Sequence, residues 1–378
     1  MRLYFLFFIP LLANTFAQDE KYLLHQLKNH KDGVRSLEYS PSGEFIASGG
    51  DDKSVCIYNI LNIESAPVII DNYFPVNDIE FFGEDKLFVS SGNAIKLIDK
   101  SGNKLALFEG NSTHFWSVDF APERNKITGG SYDRKIRIWD VSAQQVELVL
   151  EGHEKNILAV AFSKDEQYVV SGSLDLSIKV WNAKTGTLLK TLKKHSENIY
   201  DIKFHPNSRY FASASGDKTI RLWDIDSGKV VKTYSGHGAA VVDIEFSPDG
   251  YFLYSASPDG SVIVWEVATG AKLYSYVLHD GDVNSVAVSP DGNYVATGGK
   301  DGVVYIWRSA KYIAADFYFE DDFRNDINTN PVFAPKKRDE TKQTYAERQN
   351  EATLVLNDIV EAYFEKYKKR LNYKYLPD

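Results

Sequence analysis

HSENIYDIKFHPNSRYFASASGDKTIRLWDIDSG, from His195 to Gly228, is the stretch whose reading decides the fold. Three apolar runs, NIYDIKF, YFASAS and TIRLW, alternate with polar residues and are parted by turn chemistry at HPNSR, SGDK and DSG. With the preceding KTLKKH (Lys190 to His195) the unit reads as four short strands, and helical periodicity is absent from it.

Working outward, the same unit recurs. IRIWD (Trp139), IKVWN (Trp181), IRLWD (Trp223), VIVWE (Trp265) and VYIWR (Trp307) place successive tryptophans 42 residues apart. CIYNI with Tyr58 and IKLID with Ile98 extend the series backward at spacings of 40 and 41, which makes seven units. A lone four-stranded sheet of this size cannot cover both of its faces, so such sheets stack radially and bury one another. A period near 40 with four strands therefore predicts an all-β, seven-bladed β-propeller. Nothing strand-like follows Trp307, whereas KYLLHQLKNH (Lys21 to His30) resembles TLLKTLKKH (Thr187 to His195). The N-terminus is thus expected to supply the outer strand of the last blade, removing two open sheet edges.

At this point the residues resemble the WD-repeat family over roughly three quarters of the chain. A histidine precedes the tryptophan position by 28 residues in five units, at His30, His153, His195, His237 and His279. An aspartate lies six before it at Asp52, Asp133, Asp175, Asp217, Asp259 and Asp301, and a Ser or Thr ten before it at Ser48, Ser171, Ser213, Ser255 and Thr297. Ser, His and Asp together suggest a hydrolytic triad. Their recurrence about five times at constant spacing argues instead for a structural device, because one active site needs one triad. The resemblance implies that these residues, with Trp181, Trp223, Trp265 and Trp307, form a hydrogen-bonded network inside each blade. Buried polar groups need partners, and a fully paired network selects one geometry. No catalytic residue, metal ligand or cofactor is assigned.

The resemblance also marks positions around the central channel as contact sites: three and five residues beyond the histidine, and one before the turn aspartate. They are Gly33, Arg35 and Asp51; Pro75 and Asn77; His114, Trp116 and Tyr132; Asn156, Leu158 and Leu174; Asn198, Tyr200 and Gly216; Ala240, Val242 and Pro258; Asp282, Asn284 and Lys300. Large side chains concentrate in blades three to five, and interfaces favour Trp and Tyr. The candidate partner-binding set is Trp116, Tyr132, Leu158, Leu174, Tyr200, Asn198, His114 and Arg35. The second unit lacks both His and turn Asp, with Gly92 and Asn93 at that turn, and the third has Asn111 for His. These two blades are expected to be the least regular. Asn111-Ser112-Thr113 is also a sequon-like triplet on this rim.

Composition bounds the rest. The 378 residues carry a formal net charge of −9, which argues against nucleic acid as a partner, since phosphate binding needs clustered cations. Cys56 is the single cysteine, so no intrachain disulfide forms, and it reads as a small core residue. MRLYFLFFIPLLANTFAQ has the build of a signal peptide over residues 1–17, cut between Ala17 and Gln18, with an apolar run too short to span a membrane. The mature chain is accordingly expected to be exported without a membrane span, to the periplasm or the extracellular space of a bacterium.

The propeller is assigned to residues 21–309 and a C-terminal extension to 310–378. DFYFEDDFRNDINTNPVFAPKKRDE reads as an extended segment or linker. Leu356, Val360, Tyr363, Phe364, Tyr367 and Leu371, at intervals of three and four, predict one amphipathic helix over about 341–373. The chain is read as a monomeric, non-catalytic scaffold binding a protein or peptide through one face of the propeller. The alternatives are an enzyme with a site at the channel mouth, or an envelope adaptor acting through the C-terminal helix.

Overall fold

The computed structural model describes residues 20–110, 114–207, 209–337 and 340–370. The expected signal peptide, the Asn111-Ser112-Thr113 triplet and the far end of the expected helix, including Leu371, lie outside these residues.

Among the described residues, twenty-eight strands form seven four-stranded antiparallel sheets, the blades of a β-propeller. The innermost strands are Val34–Tyr39, Val76–Phe82, Phe115–Ala121, Ile157–Phe162, Ile199–Phe204, Asp243–Phe246 and Val283–Val288. Six sheets run in chain order; the seventh is completed by Leu23–Leu27, which pairs with Val304–Arg308. The ring closes with a strand from the N-terminus, as the repeat count predicts.

Each blade alternates in the sense its sequence dictates. In the fifth, Ile199, Ile202 and Phe204 are buried and pack with Phe211 and Trp223 against Val170, Ile178 and Val180 of the fourth blade. Small residues in the second strands make this packing possible. A Cβ on Gly172 would meet Ile199 at 2.5 Å, and one on Gly298 would meet Val34 at the same distance. Cys56 is fully buried in its strand, and burial pushes its thiol up from the ordinary value.

The polar network is present as the resemblance implies. In the fifth blade the Trp223 indole Nε1 donates to Ser213 Oγ (2.8 Å), His195 Nε2 meets the same oxygen (2.8 Å), and His195 Nδ1 meets Asp217 Oδ2 (2.8 Å). The fourth blade repeats this with Trp181, Ser171, His153 and Asp175, and the sixth with Trp265, Ser255, His237 and Asp259. His30 joins Ser48 to Asp52, and His279 joins Thr297 to Asp301. Burial works to raise the Asp175 carboxyl. Hydrogen bonds from His153, Ser177 and the Glu154 amide outweigh it and hold the group far below the usual carboxylate range. In the third blade Asp133 pairs with Arg137 (2.6 Å) and Ser131 (2.5 Å), so an arginine on the third strand does the work of the histidine. In the second blade Phe74 takes over by packing on Gly92, whose φ is +64° and whose Cβ would meet the Phe74 ring at 2.4 Å.

The chain divides into two compact units. Gln26–Ile306 forms one, and among the described residues those from 20 to 25 join those from 307 to 370 in the other. The second unit contains α1 (Ala310–Tyr318), α2 (Glu320–Thr329) and α3 (Lys342–Arg370). The predicted C-terminal helix is α3, and it buries Leu356, Val360, Tyr363, Phe364 and Tyr367. The reading of the preceding stretch as extended is corrected, because its first half completes α1 and forms α2. Phe319, Phe323 and Ile327 recur every four residues and pack with Leu356, Val360 and Tyr363. The acids Glu320, Asp321 and Asp322 fall in the first turn of α2, where the helix dipole favours negative charge. The acid-rich composition hid an apolar stripe one residue wide. Asp316 of α1 is tied to Lys21 (2.6 Å), Tyr22 Oη (2.8 Å) and Arg324 (3.1 Å).

Candidate binding site at the channel mouth

One backbone irregularity builds the site. In six blades the pairing of the innermost strand with its neighbour skips a residue near the strand start: Arg35, Asn77, Trp116, Leu158, Tyr200 and Asn284. A β-bulge re-aims the extra side chain. All six, with Val242 of the sixth blade, line a cavity of about 110 Å³ at the mouth of the channel. These are the positions five beyond the histidine. The positions three beyond it act differently. Their carbonyls accept from the amide before the turn aspartate: Gly33 from Asp51, His114 from Tyr132, Asn156 from Leu174, Asn198 from Gly216 and Asp282 from Lys300, at 2.8–3.0 Å.

The mouth is uneven around its circumference. Arg35 pairs with Asp51 (2.5 Å), donates to Asn77 Oδ1 (2.6 Å), and lies 5.6 Å from the centroid of the Trp116 ring. Asn77 Nδ2 donates to the Phe115 carbonyl, and Asn284 Nδ2 to that of Val34, each reaching into the next blade. Trp116 stacks on Tyr132 (5.8 Å, 15°), Tyr132 meets His114 (5.6 Å), His114 meets Phe74 (6.3 Å), and Phe74 meets Tyr73 (4.8 Å). Tyr73 is 78% exposed and Phe74 40%. A continuous aromatic surface therefore runs from the channel outward over blades two and three.

Of the predicted set, Arg35, Trp116, Tyr132 and His114 come together. Tyr200 faces the cavity with Asn198 beside it (Nδ2 to Oη 3.4 Å). Leu174 is half-buried and lies outside the cavity wall. Leu158 is corrected: it lines the cavity, but at 5% exposure it forms wall rather than rim. Tyr73 and Phe74 were missed. The signal was the degenerate second repeat itself, where aromatic residues replace the lost histidine.

Sequence reasoning also missed what lies below the mouth. Asp78, Asp119, Asp201 and Asp243 each accept the backbone amide of the next blade's innermost strand, from Val118, Phe162, Ile244 and Val286, at 2.5–3.0 Å. Ser36 and Ser117 do the same for Ile79 and Val160. These bonds lace blade to blade. Deeper still, Glu38, Glu80, Asp119, Lys203 and Glu245 surround a second cavity of about 140 Å³, with Lys203 3.3 Å from Glu245. Burial pushes Glu38 up to about 8 and Asp78 to about 6, and raises Glu80, Asp119 and Asp243. Burial works to lower Lys203, but Glu245, Asp201, Glu38 and Asp243 outweigh it and hold it charged. The carboxylates come from five different blades, so their convergence depends on ring closure and is invisible in any one repeat.

Comparison with known proteins agrees with this architecture. The family description "WDR36/Utp21 second beta-propeller domain" matches residues 147–316, and "WD domain, G-beta repeat" matches 21–59 and 102–140. Protein hir1 of Emericella nidulans is 27% identical over 139 residues, which cover 31% of this chain and 13% of that protein. Cleavage stimulation factor subunit 50 of Arabidopsis thaliana is 29% identical over 135 residues, 32% of each chain. Nuclear distribution protein nudF of Aspergillus flavus is 30% identical over 124 residues, 31% of this chain and 27% of that protein. The matches thus span between about an eighth and a third of these relatives' own lengths. They are fungal and plant proteins, and they overturn the expected export to a bacterial periplasm or exterior. That expectation rested on the hydropathy of the first 17 residues, a short apolar run whose composition does not by itself specify a destination. Among the described residues no helix is long and apolar enough to cross a membrane. With seven four-stranded blades, the buried His–Asp networks and these matches together, the chain is a β-propeller built of WD repeats.

Proposed function

We propose that the chain is a binding platform whose channel-mouth face recruits a protein or peptide partner, with no chemistry of its own. The observation that carries this is the contiguous aromatic surface Tyr73, Phe74, His114, Tyr132 and Trp116, part of it strongly exposed. Exposed aromatic side chains held rigid by neighbours bury much area on contact at small entropic cost. The bulges support the same reading, since they direct one residue per blade toward the mouth in six of the seven blades. Relatives named as a cleavage stimulation factor subunit and a nuclear distribution protein are consistent with propellers that work through other proteins. We assign the platform to residues 21–309 and treat 310–378 as a separate helical extension.

The test compares partner capture by the full chain with capture by Trp116→Ala/Tyr200→Ala and by Tyr73→Ser/Phe74→Ser. The platform reading requires partners whose recovery falls at least tenfold on one of the two variants while their melting temperatures stay close to that of the wild type. Equal recovery by all three proteins refutes the assigned face.

A further inference from the structure

Resting on that reading, we propose that the occupant of this face is a basic peptide: a Lys or Arg side chain enters the channel past Trp116 and Tyr200, and its neighbours lie along the aromatic surface. The argument is charge complementarity between a mouth and what lies beneath it. The upper cavity is lined by Glu38, Asp78, Glu80, Asp119, Asp201 and Asp243 against two cations, Arg35 and Lys203. Arg35 is engaged with Asp51, and Lys203 sits 3.3 Å from Glu245 and shares its charge with Asp201, Glu38 and Asp243, so the carboxyl groups outnumber the cations that face them.

The carboxylates divide into two kinds. Asp78, Asp119, Asp201 and Asp243 are held in place by amides of the adjoining blade and line the channel as fixed acceptors. Glu38 and Glu80 carry no such bond and face the channel from adjacent blades. Three residues of strand, about 10 Å, separate Arg35 from Glu38 and Asn77 from Glu80. An extended cationic side chain entering the mouth therefore approaches the aspartates first and the glutamates at its tip. At the entrance the faces of Trp116 and Tyr200 attract a cation through the ring quadrupole. The formal net charge of −9 adds long-range steering for a basic partner. An acidic or purely apolar peptide gains the aromatic contact but meets the channel's field as a penalty or not at all.

Proton linkage follows from the same geometry. Glu38 faces Lys203, Glu245, Asp78 and Lys164, and Glu80 faces Glu38, Asp119, Lys203 and Lys164. With burial holding protons on both glutamates near neutrality, an entering cation expels protons, and its affinity rises with pH.

The experiment uses an immobilised nine-residue positional-scanning peptide library, in which each pool carries one defined residue at one position, probed with the full chain at pH 7.5. Pools defined as Arg or Lys at one position should be retained at least tenfold over pools with Glu or norleucine there. The shape-matched variant Glu38→Gln/Asp78→Asn/Glu80→Gln should reduce that preference below threefold while keeping the aromatic-dependent retention that Trp116→Ala/Tyr200→Ala loses. A second measurement needs no variant: the best Arg or Lys peptide should bind the wild type at least threefold more tightly at pH 8.5 than at pH 6.5. Retention without a basic preference, a preference that survives in the amide variant, or affinity flat in pH overturns the basic-peptide inference and leaves the platform standing. Retention untouched by Trp116→Ala/Tyr200→Ala, or no retention of any pool, overturns both.

Discussion

Replacing Ser213 by alanine tests whether the repeated polar residues are structural. Ser213 Oγ is fully buried and joins two groups, accepting from the Trp223 indole at 2.8 Å and meeting His195 Nε2 at 2.8 Å. His195 Nδ1 is committed to Asp217, so neither ring nitrogen has another outlet. Trp223 is 1% exposed and His195 7%, which denies both groups water once the hydroxyl is gone. Each buried group left unpaired costs about 1–3 kcal/mol, and two are stranded here, so Ser213→Ala should lose about 2–5 kcal/mol after local relaxation. Thr128→Val in the third blade is the internal control. Its hydroxyl donates only to the Arg137 carbonyl (3.2 Å), and no histidine depends on it. That variant should lose about 0.5–1.5 kcal/mol. The assay is urea unfolding at pH 7.5, followed by tryptophan fluorescence, with the slope required to match wild type so that midpoints report stability. A Ser213→Ala loss below about 0.5 kcal/mol, or one no larger than that of Thr128→Val, refutes the shared-hydroxyl argument.

Acid should erode stability from about pH 6.5 downward. Burial lowers His195 and His237, so the unfolded chain takes up protons first; lower still, the paired Asp52, Asp175, Asp217, Asp259 and Asp301, all held below their usual range, lose their bonds on protonation. A melting temperature constant from pH 7 to 4 would contradict this. The channel acts in the opposite sense: Glu38 is raised to about 8 and Glu80 is raised too, so their penalty grows as pH climbs from the unfolded carboxylate range toward 8. Glu38→Gln/Glu80→Gln should therefore melt higher than wild type at pH 8.5 and nearly equally at pH 4.5; a lower melt at pH 8.5 would show that the carboxylates are stabilised by contacts other than those described. Gly92→Ala should cost about 1–3 kcal/mol and disturb Phe74, whereas Gly83→Ala, with φ +65° but nothing within 4 Å of its Cβ, should pay the backbone part alone, so equal losses would refute the Phe74 packing.

Much of this molecule was determined by sequence alone. A 42-residue period with four alternating runs per unit admits few burial solutions, and the resemblance of Lys21 to His30 to a fourth strand was enough to expect the closing partner. The blade networks were equally legible, because their spacing is local to one repeat. Helix α3 was legible from its three-and-four spacing, whereas α2 was concealed by the acids of its first turn.

Only tertiary structure decided the site. Whether Leu158 becomes rim or wall depends on a bulge and its neighbours across the channel, and the aromatic path from Trp116 to Tyr73 joins two blades. The channel carboxylates are the clearest case. Glu38, Glu80, Asp119 and Glu245 are unremarkable charges in their own repeats. Closing the ring gathers them around one narrow space, where desolvation acts on Glu38, Glu80 and Asp119 together and no local pattern records it.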